Sequence, residues 1–146
     1  MAPVQTSIST PMPAGTSASA VIAVLHDHDQ YIKMACPQHI SYKLVSGTPG
    51  AGLDAACVYE VTDKKPIGQT TYPMTLTNRA GGIDAFIDGK APTGAIRLES
   101  AWRVVGDKIE ETVTIDSNML MNKMIKSNVE KSHPAQHQGL IQAVRA

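Results

Sequence analysis

Apolar and polar residues alternate along most of the first 116 residues, with the period of two residues that is typical of half-buried β-strands. Turns that contain glycine or proline separate most of these segments, as in a meander of antiparallel hairpins. The pattern predicts an N-terminal strand and six later strands: residues 4–10, 40–46, 56–63, 68–78, 82–89, 94–106 and 108–116.

Residues 16–35 interrupt this alternation, because their apolar positions recur with the helical period of about 3.6 residues. Thr16, Ser17 and Ser19 can each cap the start of a helix through the side-chain oxygen. The helix is expected to end close to Pro37, because the residue before a proline disfavours helical backbone.

A second helical segment starts near Ser117 and is predicted to continue to about residue 146. Pro134 lies inside it and removes a backbone hydrogen bond, so a kink or break is expected near His133. One stripe of this helix is apolar and consists of Met121, Met124, Ile125, Val129, Leu140, Ile141 and Val144.

The order of the elements predicts an α+β fold in one domain, residues 1–146. A strand and loop form residues 1–15, and the long C-terminal helix forms residues 117–146. A curved antiparallel sheet of six to seven strands can wrap around that helix and bury its apolar stripe. The expected architecture is therefore a helix-grip fold with a cavity between sheet and helix.

The amino-acid composition limits the kinds of molecule that the protein is expected to bind. Thirteen basic and thirteen acidic residues give a net charge of zero, and no basic stripe is interleaved with aromatic residues, so a nucleic-acid partner is not expected. Hydrophobic residues make up 42% of the chain but aromatic residues only 4%, so aliphatic and methionine side chains must line any cavity.

The cellular compartment is predicted from the cysteines and the apolar runs. Cys36 and Cys57 lack the spacing of a metal or redox motif, and no secretory signal is recognised in the first fifteen residues. No run reaches the roughly 18 apolar residues needed for membrane insertion. We therefore expect free thiols and a cytoplasmic protein.

Four stretches of the sequence are similar to those of a known protein superfamily: VIAVLHDHDQYIKM, VYEVTDKKPIG, IRLESAWRVVGDKIEETVTI and the KSH of the final helix. With the order of elements, they resemble the START/Bet v 1-like (SRPBCC) superfamily and, within it, a group of small fungal proteins. The resemblance implies a hydrophobic cavity beneath the C-terminal helix. The resemblance also implies a ligand class, because relatives in this superfamily bind lipids, sterols or polyketides. Some of these relatives catalyse aromatase/cyclase, dehydration or condensation reactions.

Four consecutive ionisable residues, His26 to Asp29, lie in the first helix. On one helix, residues i and i+2 point about 200° apart, so these side chains cannot converge on a metal ion. His28 falls on the apolar stripe, either as a core-edge histidine bonded to the backbone or as a general acid or base. His26, Asp27 and Asp29 are expected on the solvated face.

His133 and His137 share a helix face and have ligand spacing for a metal. Two ligands are too few and Pro134 disturbs the turn, so no metal site is predicted. Cys57 lacks an identifiable base, and no phosphate-binding, nucleotide-binding or serine-hydrolase motif is present. No cofactor is expected.

Strand parity places one carboxylate among inward apolar residues. Glu111 has the same parity as Ile109 and Val113, while Leu98 and Trp102 share the apolar parity of the preceding strand. Glu111 is either a rim or arginine-paired structural residue, or an acid whose pKa burial raises toward the range of proton transfer. It is the leading catalytic candidate.

Two tyrosines have inward parity beside apolar neighbours. Tyr72 shares its face with Met74, and Tyr59 shares its face with Cys57. Their hydroxyls can hold a ligand carbonyl or phenol, or bond to the backbone.

The sequence therefore predicts a hydrophobic small-molecule ligand and cofactor-independent acid/base catalysis on a polyketide- or terpenoid-like metabolite, by a cyclase, isomerase or dehydratase. The alternatives are a non-catalytic carrier and a protein whose sheet or helix chiefly mediates assembly; a homodimer is left open. The predicted catalytic residues are Glu111, His28, Tyr72 and Tyr59. The predicted ligand-binding residues are Trp102, Met74, Leu98, Val113, Met121, Met124 and Ile125.

Overall fold

The structure is a computed structural model that describes residues 3–36, 38–64, 68–91 and 94–145. Strands and helices follow one another in the predicted order, with one helix more than expected. The elements are β1 (Val4–Pro11), α1 (Ala18–His26), α2 (His28–Ala35), β2 (His39–Ser46), β3 (Ala56–Lys64), β4 (Gln69–Arg79), β5 (Gly82–Ala91), β6 (Gly94–Val105), β7 (Lys108–Asp116) and α3 (Met119–Arg145).

The seven strands form one curved antiparallel sheet in the order β1-β7-β6-β5-β4-β3-β2. Strands β2 to β7 follow one another as hairpins, and the N-terminal strand β1 pairs with β7 at one edge of the sheet. Helix α3 packs against β1 and β7 and against the two short helices. The predicted helix-grip fold is confirmed, and α3 begins within two residues of Ser117.

A glycine permits the closest approach between neighbouring strands. A Cβ atom at Gly82 would lie 1.8 Å from the carbonyl oxygen of Trp102, a distance that no side chain tolerates. The glycine therefore lets β5 pair with β6 at the point where Trp102 enters the core.

The predicted single helix is divided at Asp27, which has extended backbone angles (φ −82°, ψ 98°). Its carboxylate accepts a hydrogen bond from the backbone N–H of Gln30, at 3.3 Å, and so caps α2. Ser17 caps α1 in the same way, through Ala20 at 3.2 Å. A competing side-chain acceptor thus ends one helix and starts the next.

Helix α3 continues through Pro134, so the predicted break is absent; a kink remains a prediction. Residues on both sides of the proline are buried, including Val129 before it and Leu140 and Ile141 after it. Packing against the sheet holds the helix where local preference opposes it.

No helix in the described parts of the chain is long and apolar enough to cross a membrane.

The buried apolar residues form two clusters. The smaller cluster consists of Val113, Ile115 and Val129, with partly buried neighbours such as Leu98. The larger cluster lies between the sheet and the three helices and includes Tyr31, Met74 and Trp102. Residues of both clusters line one cavity, which therefore lies at their boundary.

Candidate functional site

A cavity of about 130 Å³ lies between α3 and the sheet. Small side chains at Ala35, Ala85 and Ser100 leave this space open. A cavity of about 150 Å³ with apolar walls can hold a benzene molecule, so the volume suits roughly one six-membered ring. The lining residues are Tyr31, Ala35, Met74, Ala85, Ile87, Leu98, Ser100, Val113, Val129, His133 and Gln136.

Glu111 lies on β7 with its side chain fully buried, as its parity predicted. Both carboxylate oxygens accept hydrogen bonds from histidines of α3. His133 Nδ1–H donates to Oε2 at 2.6 Å, and His137 Nε2–H donates to Oε1 at 3.0 Å. The carboxylate therefore pairs with two imidazoles rather than with an arginine or with solvent.

The ionisation of Glu111 differs from the expectation. Burial acts to raise its pKa, but the hydrogen bonds from His133 and His137 outweigh burial and hold the pKa below its usual value. A buried carboxylate needs compensating hydrogen bonds, which the two imidazole N–H groups supply. Glu111 is therefore an ionised partner of the histidines and not a proton donor with a raised pKa.

His133 connects the buried Glu111 carboxylate to the cavity. Its side chain is 17% exposed and forms part of the cavity wall. Because Nδ1 is hydrogen-bonded to Glu111, Nε2 is the ring nitrogen that is left to act on a ligand. A carboxylate that holds one ring nitrogen fixes the imidazole tautomer and stabilises the imidazolium, as in Ser-His-Asp triads.

His137 is fully buried behind this pair and packs on Trp102, with 4.8 Å between the ring centroids. Its Nδ1 and the Trp102 indole nitrogen have no hydrogen-bond partner within the described residues. Trp102 is fully buried but is not among the residues that line the cavity. It supports the site from behind, in contrast to its predicted contact with ligand.

Tyr31, which the sequence did not single out, lines the cavity and packs edge-on against Trp102, at 6.1 Å between ring centroids. Burial raises the pKa of its hydroxyl well above the usual range, and the nearby Glu111 carboxylate adds to this shift. The hydroxyl therefore remains protonated and can donate a hydrogen bond.

The structure places His28 and Tyr59 together but away from the cavity. The Tyr59 hydroxyl donates to His28 Nδ1 at 2.7 Å, and His28 Nε2–H donates to Asn78 Oδ1 at 2.9 Å. Burial raises the pKa of Tyr59 to about 12. Both ring nitrogens of His28 are occupied, so this cluster ties α2 to strands β3 and β4.

Tyr72 also bonds within the protein rather than at the cavity. Its hydroxyl donates to Asp63 Oδ2 at 3.0 Å and lies 3.4 Å from Cys36 Sγ. Burial raises the pKa of Tyr72 above its usual range and that of the Cys36 thiol to about 11. Cys36 and Cys57 are both free and buried.

Three of the predicted ligand-binding residues, Met74, Leu98 and Val113, line the cavity. The three from the start of α3 do not. Met124 is 51% exposed, which corrects its predicted place in the lining. Ile125 packs against the smaller cluster, and Met121 is only partly buried. The cavity lies beside the middle of α3, and these residues belong to its first two turns.

The run from His26 to Asp29 has structural partners at every position, although Asp27 is exposed and Asp29 is half exposed, as predicted for a solvated face. His26 Nε2 lies 2.9 Å from the carbonyl oxygens of both Arg79 and Gly82. Asp27 caps α2, and Asp29 pairs with Lys33 at 2.9 Å and accepts a hydrogen bond from Tyr42.

Within the described ranges, no group of three His, Cys, Asp or Glu side chains is arranged to hold a metal ion. Glu111, His133 and His137 are suitable ligand types, but each imidazole is bonded to a different carboxylate oxygen.

A family model described as a domain of unknown function, DUF7053, matches residues 2–146. The chain belongs to the DUF7053 family. No curated protein shows significant sequence similarity to this DUF7053 chain.

Solved structures resemble the DUF7053 chain over nearly its whole length. Ara h 8.0201 is 15% identical with a TM-score of 0.66, and 98% of each chain is covered. The ZhuI aromatase/cyclase from Streptomyces sp. R1128 is 14% identical with a TM-score of 0.61, covering 99% of this chain and 93% of that one. A STAR-related lipid transfer protein from Xanthomonas axonopodis is 14% identical with a TM-score of 0.53, covering 93% and 85%. These likenesses show a Bet v 1-like, START-type fold.

Proposed function

We propose that this DUF7053 protein binds a hydrophobic small molecule in the cavity beneath α3 and catalyses a cofactor-independent proton transfer on it. The reaction class is cyclisation, isomerisation or dehydration of a polyketide- or terpenoid-like metabolite. One observation carries the proposal: His133 lies in the cavity wall while the buried Glu111 holds its Nδ1 at 2.6 Å.

In the proposed reaction, His133 is the catalytic residue and Glu111 is a positioning residue that acts through it. The lone pair of His133 Nε2 accepts a proton from a ligand carbon next to a carbonyl group, and the C–H electron pair forms an enolate. Glu111 stabilises the resulting imidazolium, and the protonated hydroxyl of Tyr31 can donate to the enolate oxygen. Nε2–H then returns the proton to another atom of the ligand, so an isomerisation needs no further reactant.

The neighbours support the choice between enzyme and carrier only in part. One is named an aromatase/cyclase and another a lipid transfer protein, so the same fold serves both classes. The His133–Glu111 pair favours the enzyme, because a carrier needs an apolar lining but no imidazole held by a buried carboxylate. The apolar lining on its own fits a carrier equally well.

Exchange of the α-protons of cyclohexanone in D₂O tests the proposal, because this ketone is one ring in size. Followed by NMR, the protein should accelerate exchange above the buffer rate, and His133→Gln should abolish the acceleration. His39→Gln is the matched control, since His39 bonds to the Cys36 carbonyl outside the cavity. Binding of cyclohexanone without accelerated exchange in the unmutated protein would favour the carrier and refute catalysis.

Other expectations from the sequence remain predictions: a fungal group of relatives, a cytoplasmic location and the absence of a nucleic-acid partner. A homodimer remains an open alternative.

A further inference from the structure

One residue that lines the cavity has a buried acceptor without a partner among the described residues. Gln136 lines the cavity, and its Oε1 is buried without a hydrogen-bond partner in the described parts of the chain. Its amide nitrogen donates to the carbonyl of Ala35 at 3.5 Å, the outer limit of a hydrogen bond. A buried acceptor left unpaired is unfavourable, so a ligand that brings an O–H group to this oxygen gains affinity.

Charge and size restrict the ligand further. No lysine or arginine is among the described lining residues, and the Glu111 carboxylate is hydrogen-bonded to the lining residue His133. An anionic ligand would therefore enter without a fixed counter-charge. The volume of about 130 Å³ is below the range of roughly 300 to 1,000 Å³ that is usual for drug-sized ligands.

We infer that the natural ligand is a neutral, single-ring compound with a hydroxyl group that donates to Gln136 Oε1. This inference rests on the proposed function and narrows its substrate class from polyketide- or terpenoid-like metabolites to those of one ring. The ring occupies the apolar space between Met74, Leu98 and Val113, and His133 and Gln136 line the same cavity.

Four probe compounds test the inference: phenol, benzene, 1-naphthol and benzoate. Binding is measured by titration while the ¹³C-labelled methyl group of Met74 reports whether the probe enters the cavity. Phenol should shift the Met74 signal and bind about tenfold more tightly than benzene, the worth of one good hydrogen bond. The two-ring 1-naphthol and the charged benzoate should each bind at least about tenfold more weakly than phenol.

A variant pair tests the role of Gln136. Gln136→Leu should remove the preference for phenol, so that phenol and benzene bind alike. Gln138→Leu is the matched control, because Gln138 is exposed two residues further along the same helix, and it should keep the preference. If phenol has no advantage in the unmutated protein, or keeps its advantage in Gln136→Leu, the hydroxyl assignment is overturned.

The outcomes separate this inference from the proposed function. Tighter binding of 1-naphthol or benzoate than of phenol would overturn the ligand class alone, because accelerated exchange of cyclohexanone could still stand. Failure of every probe to move the Met74 signal would overturn the ligand class, and the exchange of cyclohexanone would still decide the proposed function separately. Loss of exchange in His133→Gln with phenol binding retained would agree with both.

Discussion

Replacing Glu111 with glutamine separates the chemistry of the site from its packing. The carboxylate accepts N–H groups from His133 and His137, whereas a glutamine amide has one acceptor oxygen and one donor nitrogen. One imidazole must then face an NH₂ group and present a lone pair to it. When that imidazole is His133, its proton moves to Nε2, and the cavity loses its base.

The magnitude follows from the role of the pair. A positioned general base contributes roughly 10² to 10⁴ in rate, and a histidine held in the wrong tautomer loses a similar factor. We therefore expect cyclohexanone exchange to fall by about 10² to 10⁴ in Glu111→Gln, or roughly 3 to 5 kcal/mol of activation free energy. Unfolding free energy should change by less, about 1 to 2 kcal/mol, because removing a fully buried charge offsets the lost hydrogen bonds.

The assay is the exchange rate by NMR, with urea denaturation of the same samples. Glu110→Gln is the matched control, because Glu110 neighbours Glu111 on β7 but is exposed on the opposite face. It should leave both quantities unchanged. Wild-type exchange in Glu111→Gln, or a loss of exchange fully accounted for by unfolded protein, would refute the role of Glu111.

Three further predictions concern stability and the cavity. Because the pKa of Glu111 is lowered in the folded state, its contribution is present above the unfolded pKa of about 4.3 and is lost as pH falls through the folded value. The Tm advantage of wild type over Glu111→Gln should therefore shrink below about pH 5; an unchanged difference would contradict this. Ala85→Leu should fill the cavity and abolish phenol binding, whereas Ala101→Leu on the opposite face of the sheet should not. Asp27→Ala should lower the unfolding free energy by about 1 kcal/mol in urea denaturation, and Asp27→Asn should largely restore it.

Local rules were sufficient for the strands. A period of two residues follows directly from strand geometry, so parity alone placed Glu111 inward between Ile109 and Val113, and the structure buries all three. The inner face of β6 followed from the same rule. Parity cannot report which other element covers a face, and for this reason it did not separate Met74, which lines the cavity, from Trp102, which lies behind it.

The helix break at Asp27 had a signal that the helical period concealed. Asp27 is followed three residues later by Gln30, the spacing of a capping box, and Gln30 Nε2 returns to Asp27 Oδ2 at 2.9 Å. The apolar period continues across the break and therefore does not reveal it. The capping pattern is the stronger evidence for where the second helix starts. Once the helix is divided, the angular relations computed for one continuous helix no longer hold between His26 and His28.

The partners of Glu111 were harder to find because they lie 22 and 26 residues further along the chain. Their pairing depends on how α3 is rotated and translated against β7, which packing along the whole helix determines. The apolar stripe nevertheless contains the information. Val129, His133 and His137 follow one another at intervals of four residues, and Ile141 continues the row, so the two histidines lie on the buried face. Read together with an inward carboxylate that needed a partner, they indicate a buried Glu–His pair rather than an incomplete metal site.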